Sequence, residues 1–185
     1  MTASLTDTLC TRCALCCDGT LFADVELSGS AEATRLEIMG LEIVDDDDAG
    51  LLSLPCAALQ GRRCGIYAHR PECCRTFECA LLQDARQGAV SVERALELIA
   101  EALQRIARVR ALMAELGYRT RRLPLRESCA EALAKDAKAG PDAKRKRAEL
   151  EAELSAVETL IQETFLGRTW PSNAAAAAPG ARPAR

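Results

Sequence analysis

The second half of the chain carries a long stripe of apolar residues at helical spacing. From Val92 to Leu116, apolar side chains recur at steps of three or four, which is the period of an amphipathic helix. Ser91 precedes the stripe and is a good N-cap residue, and Gly117 follows where a helix-ending glycine belongs. The apolar positions of this predicted helix are Val92, Leu96, Ile99, Leu103, Ile106, Val109, Met113 and Leu116.

Two more helices are predicted after this one. The shorter runs from Ser128 to Lys138, before Gly140 and Pro141. The longer begins near Asp142 and ends before Gly167, and its stripe consists of Leu150, Leu154, Val157, Ile161 and Phe165. Because helices joined by short loops usually pack as neighbours, we expect the two long helices to form an antiparallel hairpin. The alternative is a coiled-coil surface for dimerisation or for a protein partner.

The first 88 residues show only short elements. We predict a strand at 24–27, a helix at 31–39 that stops at Gly40, and a hairpin of strands 41–44 and 51–54. Four consecutive aspartates lie in the hairpin loop, but they lack the alternating ligand spacing of a calcium loop. We therefore interpret that loop as a solvated turn.

These patterns predict an α+β fold that is mostly α. Residues 1–88 form a small cysteine-rich domain with short strands, residues 89–168 form the helical hairpin, and residues 169–185 form a disordered tail of low complexity.

Composition narrows the functional classes. Apolar residues make up 49% of the chain and aromatic residues 3%, so the core must consist mainly of Leu, Ala, Ile and Val. The net charge of −3 does not favour a nucleic-acid-binding protein, and the basic runs at 119–122 and 144–147 are interpreted as solvated helix faces. Localisation signals are the next consideration. The N-terminal residues lack the features of a signal peptide, and no apolar stretch approaches the ~20 residues of a membrane span. We expect a cytoplasmic protein without a membrane partner.

Nine of the ten cysteines lie in the first 79 residues, at positions 10, 13, 16, 17, 56, 64, 73, 74 and 79. In a reducing compartment such density favours metal binding over thiol redox chemistry or a disulfide framework. The spacing Cys10-x-x-Cys13-x-x-Cys16 is the one that holds three corners of an iron–sulfur cube in bacterial ferredoxins, whereas structural zinc more often takes separated pairs of ligands. The triplet therefore favours iron–sulfur, with zinc as the alternative.

Other cysteines are harder to place. Side chains of neighbouring residues diverge, so we expect Cys17 to serve a second metal or to close the cluster from another direction. Pro71 suits the first turn of a helix, and in a continuous helix Cys74 and Cys79 would point away from each other. Either that helix distorts or the two sulfurs do not share a simple site. Cys129 lies at an apolar position and is expected to be a small buried residue.

Charge compensation is a further expectation. Four thiolates on Zn²⁺, or on an oxidised four-iron cube, leave a net charge of about −2, and burying it requires cations or hydrogen-bond donors. Five arginines lie within three residues of a cysteine: Arg12, Arg62, Arg63, Arg70 and Arg75. The single histidine, His69, is interpreted as structural rather than as a ligand.

The ordered elements Cys-x-x-Cys-x-x-Cys-Cys, Pro-Cys, Cys-x-Ile-Tyr, Arg-Pro-x-x-Cys-Arg and Phe-x-Cys resemble the CxxCxxCC cysteine-cluster family of zinc- or iron-chelating domains over about residues 10–82. The resemblance implies scaffold roles for Tyr67, Arg70, Pro71 and Arg75, and it leaves Cys73 as an extra thiol. A similar domain in flagellin lysine methylases implies an iron–sulfur role there. The implied metal ligands are Cys10, Cys13, Cys16, Cys17, Cys56, Cys64, Cys74 and Cys79.

The leading hypothesis is a metal-binding protein with an iron–sulfur centre that transfers electrons, senses redox state or assists a partner enzyme through the helical region. The second is a zinc-stabilised interaction module without catalysis. A third is a thiol enzyme using Cys10 and Cys13, for which the sequence offers no βαβ setting. The sequence does not decide whether the protein is an enzyme.

Overall fold

The computed structural model describes residues 4–44, 50–119, 122–134, 140–167 and 182–183. Its helices are α1 (Leu5–Cys13), α2 (Ser30–Ile38), α3 (Glu72–Thr76), α4 (Ala80–Gln87), α5 (Val92–Glu115), α6 (Leu125–Ala134) and α7 (Pro141–Ile161). Its strands are β1 (Phe22–Glu26), β2 (Ile43–Val44), β3 (Leu51–Ser53), β4 (Leu59–Gln60), β5 (Arg63–Cys64) and β6 (Arg182–Pro183). A 3₁₀ turn covers Tyr67–His69, and a π-helical turn, Gln162–Leu166, continues α7. The predicted α+β, mostly α, fold class is confirmed.

The chain divides into two compact units. The helical unit contains Met1–Cys13, Cys79–Arg121 and Arg126–Trp170, and the cysteine unit contains Ala14–Glu78, Arg122–Leu125 and Pro171–Arg185. The domain boundaries predicted at residues 88 and 168 stay predictions. The predicted tail lies outside the described residues except for the backbone of β6.

In the helical unit, α5 packs along α7, and α1 packs against α4 and α5. The side chain of Ser91 accepts a hydrogen bond from the backbone N–H of Arg94, so the predicted N-cap is confirmed. Ile99, Ile106, Val109 and Met113 of the predicted stripe are buried, whereas Val92, Leu96, Leu103 and Leu116 are half-buried. The stripe also includes small residues: Ala95 and Ala102 are fully buried.

Helix α7 confirms most of its predicted stripe. Leu150, Val157, Ile161 and Phe165 are buried, while Leu154 is half-buried. Helix α6 begins at Leu125, three residues before the predicted start, and its predicted end lies outside the described residues. No described helix combines the length and the hydropathy that crossing a bilayer requires.

The cysteine unit is built on short antiparallel strands. Its larger sheet has the order β2-β3-β1-β6, and β4 pairs with β5 in a separate ribbon. Strands β2 and β3 form the predicted hairpin, with Ile43 opposite Leu52, and the acidic loop 45–49 lies outside the described residues. Strand β1 spans 22–26 rather than the predicted 24–27, and α2 with Gly40 after it agrees with the prediction. The buried core includes Leu15, Leu21, Phe22, Val25, Leu36, Leu52 and Leu54.

Candidate metal centre

The first cysteine motif is divided by the end of a helix. Cys10 and Cys13 lie on α1, and the helix ends because Ala14 adopts a left-handed conformation with φ of 63°. Few residues other than glycine adopt this region. The carbonyl of Ala14 then accepts hydrogen bonds from the N–H groups of Cys17 and Asp18, at 2.9 and 3.0 Å. Cys16 and Cys17 therefore lie in a turn of the cysteine unit, after the helix.

The sulfurs of Cys16 and Cys17 are in contact. Their Sγ atoms are 3.6 Å apart, so the expectation that these neighbouring side chains diverge is wrong. The turn after Ala14 curls the backbone tightly enough for both side chains to point the same way. In a tetrahedral metal site with bonds of about 2.3 Å, two thiolate sulfurs are separated by about 3.8 Å. The observed contact is close to that spacing.

Backbone hydrogen bonds bring the second group of cysteines to this turn. The N–H of Cys56 donates to the carbonyl of Cys17 at 2.9 Å, and the N–H of Leu59 donates to the carbonyl of Cys56 at 3.0 Å. Leu59 in β4 then pairs with Cys64 in β5. The ribbon thus returns Cys64 towards Cys56, since opposed residues of antiparallel strands lie about 5 Å apart.

In the segment 72–87 the helix is interrupted between Cys74 and Cys79. Helix α3 ends at Thr76, Phe77 is extended, and Cys79 is the N-cap of α4. The helix therefore distorts, which was one of the two predicted alternatives. Pro71 is buried and is the N-cap of α3, which places Cys73 and Cys74 on its first turns. Phe77 packs edge-on against Phe22, with ring centroids 5.1 Å apart.

The thiols of the cysteine unit influence one another electrostatically. Burial raises the pKa of Cys56, with smaller contributions from Cys17 and Cys64. Burial also raises the pKa of Cys64, and the charge of Cys17 adds to this effect. The hydrogen bond with Cys73 raises the pKa of Cys74 most, followed by burial and by the charges of Cys73, Cys17 and Cys56. The charge of Cys17 therefore acts on all three of these thiols.

Arg70 supplies positive charge to this group. Its guanidinium lies 3.7 Å from the ring centroid of Tyr67, and its Nε donates to the Tyr67 carbonyl at 3.2 Å. The hydrogen bond with Cys16 lowers the pKa of Cys17, and Arg70 lowers it further against the opposing effects of burial and Asp18. Arg70 also opposes the raised pKa of Cys64. Four of the predicted compensating arginines have exposed side chains: Arg12, Arg62, Arg63 and Arg75.

The remaining candidates are placed as follows. Cys129 is fully buried in the helical unit and its Sγ lies 3.5 Å from the Sδ of Met113, so its predicted role as a buried apolar residue is confirmed. Burial raises the pKa of this thiol to about 11. His69 is exposed at the end of the 3₁₀ turn.

The chemistry of the donor set fits a thiophilic metal. All ten cysteines are in the described ranges, and none forms a disulfide. The nine cysteines of residues 10–79 are half-buried, which leaves them within reach of an incoming ion. Among the described residues, no three His, Cys, Asp or Glu side chains are close enough together to hold a metal ion as they stand. Binding would therefore require the sulfurs to move closer together.

Comparison with known proteins identifies one family. The family model described as "CxxCxxCC: Putative zinc- or iron-chelating domain" matches residues 9–110. The match covers the cysteine motifs and continues through most of α5, further than the resemblance over residues 10–82 extends. No curated protein matches the chain. No solved structure matches it either.

Proposed function

Since the chain belongs to the CxxCxxCC family of zinc- or iron-chelating domains, we propose that it holds iron in a cysteine-bound iron–sulfur centre. The ligands are Cys10, Cys13, Cys16, Cys17, Cys56, Cys64, Cys74 and Cys79. In this proposal the centre serves a redox role or assists a partner enzyme in the cytoplasm.

The observation that supports iron–sulfur best is the purely sulfur character of the thiol group around Cys17. Cys56, Cys64 and Cys74 interact electrostatically with Cys17, while the one histidine is exposed. Iron–sulfur clusters are held by cysteine thiolates, and a bound cluster supplies one-electron chemistry. Catalytic zinc commonly uses histidine or carboxylate ligands, so an all-sulfur set argues against that kind of site. Structural zinc also takes four cysteines, so metal and sulfide content must separate it from an iron–sulfur cluster.

The chain's own residues would tune such a centre in two ways. The half-buried cysteines reduce the solvent around it, and lower solvent exposure changes the reduction potential of a cluster. Arg70 offsets negative charge at Cys17 and Cys64 and is held in place by its stacking on Tyr67. A fixed cation stabilises the state of a cluster with more electrons, because that state carries more negative charge.

A zinc-stabilised interaction module is the second candidate, and the contact between Cys16 and Cys17 favours it. Thiolates on different corners of a cube point outward from the cube and away from each other. The 3.6 Å separation of these two sulfurs instead suits two ligands of one tetrahedral ion. In this case the metal would contribute folding free energy and no redox chemistry.

The experiment that separates these candidates is metal and sulfide analysis of protein purified without oxygen after growth with ample iron. The proposal expects iron with acid-labile sulfide and a visible absorption that bleaches on reduction. Colourless protein that contains zinc and no sulfide would reject the iron–sulfur proposal and support the zinc module.

A partner surface on the helical unit is also part of the proposal. Ion pairs join the exposed sides of α5 and α7: Lys146 lies 3.4 Å from Glu115, and Arg105 lies 3.5 Å from Glu153. Because carboxylates of the same chain pair with Lys146 and Arg105, these two cations contribute little to binding nucleic-acid phosphates, which is compatible with the proposed protein partner. A pull-down with the intact chain, repeated with Arg105→Glu, tests this surface, and unchanged capture by the variant would count against it.

A further inference from the structure

Resting on the proposed metal-binding function, we propose that Glu32 is a positioning residue for the thiols of α3. Its side chain accepts a hydrogen bond from the backbone of Glu72, the first residue of that helix, which lies 40 residues further along the chain. The next two residues of α3 are Cys73 and Cys74, and Cys74 is one of the proposed ligands. Glu32 thus acts on the ligand through the backbone of α3, without touching the metal itself.

The carboxylate of Glu32 accepts hydrogen bonds through both of its oxygens. The N–H and the Oγ of Ser28 donate to Oε2 at 3.1 and 2.9 Å. The N–H of Glu72 donates to Oε1 at 3.0 Å, and Nη2 of Arg35 lies 3.3 Å from the same oxygen. One side chain therefore joins the start of α2 to the start of α3, and both helices belong to the cysteine unit.

These bonds explain how a carboxylate is kept in a largely enclosed position. The side chain of Glu32 is only 10% exposed, and removing a charge from water is costly unless it is paired and hydrogen-bonded. Burial raises the pKa of Glu32, but the hydrogen bonds from Ser28 and Glu72 and the charge of Arg35 together outweigh this effect and hold the pKa below its usual value. The ionised carboxylate has acceptor sites for all of these donors.

Helix α3 depends on such an outside contact because it is short. It has five residues, Glu72–Thr76, far fewer than an isolated helix needs to be stable in water. Its N-cap is Pro71, whose side chain has no oxygen to accept an N–H of the first turn. Glu32 supplies this acceptor from α2, so it fixes the backbone immediately before Cys73 and Cys74.

The test compares the full chain, purified without oxygen and loaded with metal, with three variants. Glu32→Leu removes the acceptor of all four bonds at similar side-chain size. Half of its metal should be lost at a chelator concentration roughly 10–100-fold lower than for the parent, which is the range for groups that orient metal ligands.

Two control variants separate this role from other effects of the substitution. Glu37→Leu removes an exposed carboxylate from the same helix, and Ser28→Ala removes only the Oγ donor and leaves the bond to Glu72. Both controls should retain metal as the parent does. Equal retention by Glu32→Leu and Glu37→Leu would overturn the proposal.

A general loss of stability would also weaken metal binding, so a second readout shows where Glu32 acts. The alkylation rate of each cysteine in metal-loaded parent and Glu32→Leu is followed by mass spectrometry. The proposal expects the rates at Cys73 and Cys74 to increase more than the rate at Cys56, which lies in another segment of the cysteine unit. Equal acceleration at all cysteines would indicate a general structural role and would reject positioning.

The unchanged protein provides a third measurement, in case Glu32→Leu does not fold. The first N–H groups of a helix have no intrahelical partner, so protection of the Glu72 amide must come from Glu32. In metal-loaded parent, this amide should exchange its hydrogen roughly tenfold or more slowly than in the unfolded chain, since hydrogen bonds to charged groups are the stronger ones. An unprotected Glu72 amide in protein that retains its metal would overturn the inference alone. A parent that retains no metal would instead reject the proposed function, and the inference with it, so the two failures are distinguishable.

Discussion

In the helical unit, α5 and α7 extend for 24 and 21 residues, whereas in the cysteine unit β2, β4 and β5 have two residues each. The long helices bury continuous apolar stripes that include Ile106, Val109 and Leu150. Strands of two residues provide few ladder hydrogen bonds and little packing, so such elements need additional constraints to be stable. The comparison indicates that apolar packing stabilises the helical unit, while the proposed metal–thiolate bonds constrain the cysteine unit.

The largest expected effect is that of metal removal, which should act unequally on the two units. Structural metal binding in small domains contributes of the order of 10 kcal/mol to folding. We expect chelation to accelerate amide exchange by more than ~100-fold in β3–β5 and α3, and to leave the centre of α5 protected. Hydrogen-exchange mass spectrometry with and without chelator measures this. Equal loss of protection in both units would contradict the claim that metal constrains the cysteine unit while apolar packing stabilises the helical unit.

A cavity made by substitution in the helical unit should lower the stability of that unit without releasing metal. Leu150 is fully buried in α7, and Leu150→Ala should lower the free energy of unfolding by about 2–5 kcal/mol because it removes apolar contacts and leaves a void. Denaturant unfolding followed by circular dichroism measures the change. The exposed neighbour provides a control, since Glu151→Ala should change stability by less than ~0.5 kcal/mol. Loss of bound metal in folded Leu150→Ala would contradict the separate stabilisation of the units.

We predict that the free energy of unfolding falls at high pH because the buried thiol of Cys129 titrates. This effect involves no metal. Burial raises the pKa of this thiol from 9.0 to about 11, so the unfolded chain loses its proton first as pH rises. Stability is therefore fully present below pH 9 and falls between pH 9 and 11, by at most about 3 kcal/mol for the two pKa units. Denaturant unfolding at pH 8, 9, 10 and 11 should show a steeper decline for the parent than for Cys129→Ala. Parallel declines would mean that this thiol does not titrate as proposed.

The smallest expected effect concerns the N-terminus of α5. The side chain of Ser91 accepts the N–H of Arg94 at 3.2 Å, and Ser91→Ala should lower the free energy of unfolding by about 1 kcal/mol through loss of the cap. Ser155→Ala provides the control within α7, at an exposed helical position where alanine is favourable. Similar unfolding midpoints for the two variants would indicate that the cap contributes little to this unit.

The helical unit was largely predictable from the sequence because its signals are local. The spacing of Ile99, Ile106 and Val109, the cap at Ser91 and the glycine at 117 define α5 without reference to the rest of the chain. The small buried residues Ala95 and Ala102 were missed, since alanine fits both faces of a helix and gives little indication of burial.

The cysteine unit was less predictable because its geometry depends on single backbone conformations. A left-handed Ala14 carries no sequence signal, yet it ends α1 and turns the sulfurs of Cys16 and Cys17 together. Nor does the sequence indicate the hydrogen bond between Cys56 and Cys17, whose residues are far apart in the chain. The residue types predict metal binding, which the family match supports, while the individual ligands stay predictions. The interruption of the helix between Cys74 and Cys79 agrees with one of the two predicted alternatives.

The most direct test of the central claim is X-ray absorption spectroscopy at the metal edge of protein purified without oxygen. The account predicts that sulfur atoms at about 2.3 Å dominate the first coordination shell. A shell of only nitrogen and oxygen atoms, or the absence of retained metal from a folded chain, would contradict it.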